Sequence, residues 1–187
     1  MTVQNNISMI LEELNIALRS VDEKRIHALE QMILESKRIF VAGAGRSLLM
    51  IRAFAMRLMH LGLITYVVGE TVTPALQKDD LLLIASGSGK TGSLILMAKK
   101  CKEVGAKLSL ITTSEQSEIG KIADCVVRIS ASTPKVDSQN KTSHQPGANT
   151  FEQSVLLLGD SLVMDIIQTS STHFDNKDLM KRHANLE

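Results

Sequence analysis

The chain has 187 residues, 44% of them hydrophobic, which suffices for one domain with a sizeable core. A formal net charge of +1, with four Phe, one Tyr and no Trp, argues against nucleic-acid binding through a basic patch or a stacking platform. Residues 1–6 lack a signal-peptide pattern, no apolar run is long enough to cross a bilayer, and Cys101 and Cys125 lack metal-ligand or disulfide spacing. These features predict a cytoplasmic protein that binds a small anionic metabolite rather than a membrane.

Apolar residues at spacings of three and four predict a helix over residues 3–21 and a second from Asp22, its N-cap, to Ser36. Strands and helices then alternate. The predicted strands are 38–42, 63–68, 81–85, 107–112 and 125–130, and the predicted helices are about 46–61, 91–104, 117–123 and 151–170. Alternation of continuously apolar strands with helices predicts an α/β fold, a three-layer α/β/α sandwich with a five-stranded parallel sheet. A helical segment over 1–36 and a tail over 171–187 complete the predicted single domain.

Two further segments carry predictions of their own. The helix over 46–61 is apolar almost all round, so we expect another subunit to cover the face that the sheet does not. The polar stretch 130–149 is long for a compact domain, which is typical of a functional or mobile segment. It ends where Thr150 and Gln153 have the spacing of a capping box, with Thr150 as the N-cap.

Glycine and serine dominate the residues that follow two of the predicted strands. The strand 38–42 leads into residues 43–47 (GAGRS), the strand 81–85 into 86–91 (SGSGKT), and a third strand into the polar residues 112–114. Such a loop, ending at a helix start, offers free N–H groups and hydroxyls at the positive end of a helix dipole. The pattern therefore predicts a phosphate-binding crevice along one edge of the sheet, although glycine and serine are also ordinary turn formers.

Two nucleotide-binding motifs are incomplete in these loops. Ile84 stands where a P-loop would have its first glycine, and no strand ends in the Asp needed for Mg²⁺, which argues against ATP. Leu48 stands where a dinucleotide fingerprint has its third glycine, and no acidic residue follows the next strand, which argues against a nicotinamide cofactor. Glu152 falls in the first turn of a predicted helix, where an acidic residue suits the dipole without any catalytic role.

Taken together, these segments resemble the SIS (sugar isomerase) domain family over essentially the whole chain, and within it the 6-phospho-3-hexuloisomerases. The resemblance is carried by residues 42–47, 54–62 and 86–89 with Thr91, by Gln145-Pro146 with Phe151-Glu152-Gln153, and by 182–187. The glycine-serine loop is common to SIS domains, whereas the segments 56–60, 151–153 and 183–187 are more specific. Lys90 departs from the pattern, because that position is commonly Glu.

The resemblance implies a flavodoxin-like sheet and interconversion of D-arabino-hex-3-ulose 6-phosphate and fructose 6-phosphate through an enediolate, a step of formaldehyde fixation, without metal or cofactor. It implies Glu152 as the base and His183 as the group that moves protons at oxygen, with His60 as the alternative. It also implies a homotetramer with sites near subunit interfaces. The implied substrate-binding residues are Arg46, Ser47, Ser86, Gly87, Ser88, Gly89, Lys90 and Thr91.

Two other functions fit the same resemblance. One is an isomerase of a different sugar phosphate, such as arabinose 5-phosphate. The other is a non-catalytic sugar-phosphate sensor, since some SIS domains serve regulators. Residues 1–36 lack the basic surface and the turn of a helix-turn-helix segment, and a base with a histidine would be surplus in a sensor, so the sequence favours an enzyme.

Overall fold

A computed structural model of the protein describes residues 2–131, 143–169 and 176–186. Much of the polar stretch over 130–149, and part of the predicted tail, therefore lie outside the described residues. The strands are β1 (Ile39–Gly43), β2 (Thr65–Val67), β3 (Leu81–Ala85), β4 (Lys107–Thr112) and β5 (Cys125–Arg128). The helices are α1 (Val3–Arg19), α2 (Glu23–Glu35), α3 (Gly45–His60), α4 (Gly92–Val104), α5 (Thr150–Thr169) and α6 (Asn176–Lys181), with a 3₁₀ turn at Pro146–Ala148. None of these helices is long and apolar enough to span a membrane.

The strands form one parallel sheet in the order β2-β1-β3-β4-β5. All five residues of β3 are buried, as expected for a central parallel strand covered on both faces. Ile39 pairs with Leu81 and Gly43 with Ala85, so β1 and β3 end side by side. This arrangement confirms the predicted α/β fold with a five-stranded parallel sheet.

Alternate side chains of the central strands enter two separate hydrophobic clusters. Val41 and Leu83 pack on one face with α2, α3 and α5, whereas Ala42 and Ile84 pack on the other face with α4. The period of two in a strand explains this division, because successive side chains point to opposite faces. Helices therefore cover both faces of the sheet, which is the predicted three-layer arrangement.

Two local predictions are wrong, both because tertiary contacts decide the backbone. Residues 117–123 form successive turns rather than a helix, because they pack against the loop over 86–91. A Cβ on Gly89 would lie 2.1 Å from the hydroxyl oxygen of Ser117, and the N–H of Ile119 donates to the carbonyl oxygen of Gly89 at 3.4 Å. Thr150 lies inside α5 and is not its N-cap. Its hydroxyl donates to Glu13, and the backbone N–H of Gln153 donates to the carbonyl oxygen of Asn149.

The helix α5 crosses α3 closely on one face of the sheet. At Gly159 of α5, a Cβ would lie 2.9 Å from the ring of Phe54 of α3, so this contact requires a residue without a side chain. Phe151, in the first turn of α5, is 1% exposed in the same cluster. The packing brings the start of α5 to the edge of the sheet where β1 and β3 end.

Candidate active site

A cavity of about 290 Å³ lies where the carboxyl ends of β1 and β3 meet. From this point the chain continues from β1 towards β2 on one side and from β3 towards β4 on the other, so it is the topological switch point of the sheet. Open α/β sheets bind their ligands at such a point. The cavity is lined by Ala44, Gly45, Ser47, Ala85, Ser86, Gly87, Ser88, Thr91, Leu94, Phe151 and Glu152.

Close backbone packing forms the β1 side of the cavity. A Cβ on Gly43 would lie 3.0 Å from the backbone of Leu48 and 3.3 Å from the carbonyl oxygen of Ala85. Gly45 begins α3 with a φ of +56°, a conformation that favours glycine. These two glycines let the first turn of α3, which includes Ser47, start directly beside the end of β3.

The loop over 86–91, called the serine loop below, lies on the other side of the cavity. Hydrogen bonds from the end of β4 hold it in place. The carbonyl oxygen of Gly87 accepts from the hydroxyl of Thr112 at 3.0 Å, and from the N–H and the hydroxyl of Thr113 at 3.0 and 2.8 Å. The polar residues 112–114, at the end of β4, do not line the cavity. They fix the loop that does.

The two buried serines of the loop retain protons to donate. The hydroxyl oxygen of Ser86 accepts from the N–H of Gly89 at 3.2 Å, and that of Ser88 accepts from the N–H of Lys90 at 3.3 Å. A hydroxyl that accepts one bond can still donate its own proton. Ser86 and Ser88 therefore enter the cavity wall as oriented donors.

The loop turns at Gly89, which has a φ of +59°. A Cβ at this position would lie 2.1 Å from the hydroxyl oxygen of Ser117, so the turn segment over 117–123 packs tightly beneath the loop. Any larger residue would displace the loop.

Two of the helices that begin at the cavity, α3 and α4, lack a capping hydrogen bond from any described side chain. Ala44 precedes α3 and has no polar atom to offer, and the Thr91 side chain makes no capping hydrogen bond within the described part of the chain. The first N–H groups of a helix have no intrahelical acceptor, so two sets of free donors open here. Donors and dipoles of this kind bind anions.

Glu152 contributes the carboxylate of the cavity, from the first turn of α5. Its Oε2 atom is buried and has no hydrogen-bond partner among the described residues. Buried polar atoms are normally paired, so an unpaired carboxylate oxygen on a residue that lines a cavity calls for a functional explanation. The arrangement can bind an anion on one side and accept a proton on the other.

The cavity brings together six of the predicted site residues, namely Ser47, Ser86, Gly87, Ser88, Thr91 and Glu152. Arg46, Gly89, Lys90 and His183 do not line it, and their binding or catalytic roles stay predictions.

The two candidate histidines lie together, away from the cavity lining. His183 is exposed, and its ring stacks on that of buried His60 with centroids 5.4 Å apart. Burial, then the charges of Arg57 and His183, lower the pKa of His60. Sequence reasoning missed this stacking, and it missed the apolar wall formed by Leu94 and Phe151.

Possible metal ligands also gather outside the cavity. Within the described ranges, His27 and Glu30 of α2 and Asp165 of α5 have ligand atoms within 4.8 Å of one another. Glu30 already accepts from the hydroxyl of Thr169 at 3.3 Å and lies 3.4 Å from Nδ1 of His27. None of these residues lines the cavity.

The fold and the cavity define a known class, and the protein belongs to the SIS domain family, whose profile matches residues 32–158. Within that class it is similar to the 3-hexulose-6-phosphate isomerase of Mycobacterium gastri, with 38% identity over 185 residues, 99% of this chain and 92% of the relative. It is also similar to the 3-hexulose-6-phosphate isomerase of Bacillus subtilis, with 38% identity over 181 residues and 97% of each chain.

A solved structure gives the same result. The chain superimposes on a Methanococcus jannaschii protein with a TM-score of 0.84 and 32% identity, covering 98% of this chain and 99% of that one. A molecular function of 3-hexulose-6-phosphate isomerase was inferred for that protein from its crystal structure.

Proposed function

We propose that the protein is a 6-phospho-3-hexuloisomerase, which interconverts D-arabino-hex-3-ulose 6-phosphate and D-fructose 6-phosphate in formaldehyde fixation by the ribulose monophosphate route. One observation carries the proposal. Glu152, whose Oε2 atom is buried without a hydrogen-bond partner among the described residues, lines the same cavity as two uncapped helix starts and a fixed serine loop. The similarity to isomerases named for this substrate supports it over nearly the full chain.

The phosphate of the substrate binds at the serine loop and the start of α4. Ser86, Ser88 and Thr91 donate from their hydroxyls, and the first N–H groups of α4 add the positive end of the helix dipole. Arg46, in the first turn of α3, and Lys90, two residues before α4, are exposed cations, and in this proposal they contribute positive charge near the substrate.

The chemistry is a proton transfer between neighbouring carbons. Glu152 takes the proton from C2 of the 3-ketose, an enediolate forms over C2 and C3, and the same carboxyl returns the proton to C3. One proton also moves from the oxygen on C2 to the oxygen on C3. The role proposed for His183 or, alternatively, His60 requires that a second subunit bring these residues to the cavity, because neither lines it within one protomer. Positive dipoles at the start of α3 stabilise the enediolate.

The variant Glu152→Gln tests the base directly. It keeps the size of the side chain but removes the proton acceptor, so kcat should fall by about 10²–10⁴-fold with little change in KM. The assay couples formation of fructose 6-phosphate to NADPH production. Exchange of the carbon-bound hydrogen with deuterated water should also disappear in the variant.

Asp160→Asn is the matched control, because Asp160 is an exposed carboxylate further along the same helix. It should keep wild-type kinetics. Near-normal turnover of Glu152→Gln would show that Glu152 is only a good first-turn residue. Faster turnover of arabinose 5-phosphate than of the hexulose phosphate by the wild-type protein would contradict the substrate and favour the other isomerase.

We also propose that the protein is a homotetramer. Large apolar side chains remain exposed on one protomer, including Leu49 of α3 at 58% and Leu11 of α1 at 60%. Such side chains are candidates for burial between subunits. Leu49→Glu should dissociate the assembly, whereas Leu96→Glu, at the 69% exposed Leu96 on the opposite face, should not. A monomer in sedimentation of the wild-type protein at micromolar concentration would contradict the proposal.

The proposed place of action is the cytoplasm. Cys101 and Cys125 are both buried free thiols, and burial raises the pKa of Cys101 to about 11. Such thiols are inert structural groups that suit a reducing compartment.

A further inference from the structure

A carboxylate on α1 holds together the chain segment that leads into α5. Glu13 accepts four hydrogen bonds from this segment. The donors are the hydroxyl of Ser143 at 2.7 Å, the backbone N–H of His144 at 2.7 Å, the side-chain amide of Gln145 at 3.2 Å and the hydroxyl of Thr150 at 2.8 Å. No part of the proposed reaction uses this group.

The network is internally cross-linked and partly buried. Gln145 and Thr150 are 8% and 4% exposed, and the Gln145 amide also donates to the hydroxyl of Thr150 at 3.2 Å. The hydroxyl of Ser143 accepts from the backbone N–H of Gln145 at 3.0 Å. A buried polar network that is fully satisfied makes its surroundings rigid.

Glu13 is held as an anion by these partners. Burial raises the pKa of Glu13, but the bonds from His144, Ser143, Thr150 and Gln145 together hold it below its ordinary value. A carboxylate can only accept hydrogen bonds, so it matches four donors that a neutral side chain of similar size would not. The charge state and the donor set are therefore complementary.

The position of the network relates it to the cavity. Thr150 is the first residue of α5, and Glu152 stands two residues later in the same helical turn. We propose that Glu13 is a positioning residue, which fixes the start of α5 and thereby places the Glu152 carboxylate against the substrate. The inference rests on the proposed function of Glu152. Catalytic groups lose much of their efficiency when displaced by about 1 Å, up to roughly 10²-fold in rate.

The first test is Glu13→Gln, assayed with the hexulose phosphate. The new amide group cannot accept from the donors that meet Oε2 in the wild-type protein. We expect kcat to fall about 10- to 100-fold with KM almost unchanged. KM should change little because Thr112 and Thr113, not Glu13, hold the serine loop at which the phosphate is proposed to bind. Glu12→Gln, the adjacent exposed carboxylate, should keep wild-type kinetics. A normal kcat for Glu13→Gln would overturn the inference.

A second pair of variants covers the case in which Glu13→Gln does not fold. Thr150→Val keeps the shape of the side chain but loses the donor to Glu13, and we expect kcat to fall. Thr150→Ser keeps the hydroxyl, and we expect it to restore most of the lost rate. Equal kcat values for these two variants would overturn the inference.

The decisive test is a double-mutant cycle with Glu152→Gln. A residue that acts through Glu152 should change kcat very little when the base is already absent, so the two fold-changes should not multiply. The same fall caused by Glu13→Gln in both backgrounds would show a general structural role and overturn the inference. If Glu152→Gln alone has normal turnover, the proposed function fails as well. A slow Glu152→Gln with a normal Glu13→Gln overturns the inference alone.

Discussion

The helices of this protein begin in two different ways. At α1, the hydroxyl of Thr2 accepts from the N–H of Asn5 at 3.3 Å, and at α2 the carboxylate of Asp22 accepts from the N–H of Lys24 at 2.9 Å. At α3 and α4, by contrast, Ala44 and Thr91 make no capping bond with their side chains, as far as the structure describes the chain. Both of these uncapped starts lie at the cavity, whereas the residues at the starts of α1 and α2 do not line it.

This difference shows where stability has been exchanged for binding. A missing cap costs a helix about 0.5–2 kcal/mol, and in the proposed function the bound substrate offsets that cost by satisfying free N–H groups of α3 and α4. At the starts of α1 and α2, which face solvent, the side chains of Thr2 and Asp22 accept hydrogen bonds from N–H groups of the first turn. The following predictions test this contrast, from the largest expected effect to the smallest.

Thr91→Asp would convert the start of α4 into a capped one. Its carboxylate would take the free N–H groups and repel a bound phosphate, so KM for the hexulose phosphate should rise at least about 100-fold, because like charges in a binding site cost several kcal/mol. The melting temperature should not fall, because Asp is a good cap. Steady-state kinetics and thermal unfolding measure the two effects. Thr2→Asp introduces the same residue at the start of α1, which Thr2 already caps, and should leave the kinetics unchanged. An unaltered KM in Thr91→Asp would place the phosphate elsewhere.

Ser88→Ala removes one oriented donor from the cavity wall. The loss of one charge-assisted hydrogen bond, about 1.5–3 kcal/mol, should raise KM about 10- to 100-fold with little change in kcat. The control is Ser93→Ala, since Ser93 is exposed in the first turn of α4. Equal use of an unphosphorylated ketose by the wild-type protein would contradict the assignment of this loop to phosphate.

Fructose 6-phosphate should stabilise the wild-type protein by satisfying the open helix starts. At a concentration of 100 times Kd, the free energy of unfolding should rise by about 2.7 kcal/mol, measured by denaturant titration at fixed protein concentration. Thr91→Asp should show almost none of this gain. An equal gain in both proteins would mean that the ligand does not use the start of α4.

Asp22→Ala should affect stability alone. Loss of the bond to the N–H of Lys24 should lower the free energy of unfolding by about 1 kcal/mol, while kcat and KM stay at wild-type values. Asp22→Asn, which retains a capping oxygen, should recover most of the stability. A large change in KM for Asp22→Ala would contradict the distinction between helix starts that serve stability and helix starts that serve binding.

The strands and the two glycine-serine loops of the cavity could be predicted from the sequence, because short local patterns determine them. The strands over 81–85 and 107–112 have the predicted bounds, since continuous apolar runs between turn residues leave little choice of structure. The two glycine-serine loops meet because parallel strands that pair in register end together. Loop chemistry is enough to predict Ser47 and Ser88 at one crevice, whereas Glu152 is expected there only from the family resemblance.

The remaining features depend on contacts between distant parts of the chain. Ser117 lies under Gly89, and this packing replaces the helix that local propensity predicts over 117–123 with turns. Thr150 has the sequence of an N-cap, but Glu13 takes its hydroxyl. Neither contact leaves a periodic pattern in the sequence, and a lone Glu on a polar helix face has no distinguishing signal.

The hydrogen bond from Thr150 to Glu13 joins residues 137 positions apart in the chain. Because the ribosome synthesises the chain from its N-terminus, the residues of α1 and of the serine loop are made well before the segment that carries Glu152. A nascent chain that ends before residue 150 contains the residues of both glycine-serine loops but lacks Phe151 and Glu152. Such a chain carries the proposed phosphate-binding residues before the proposed base.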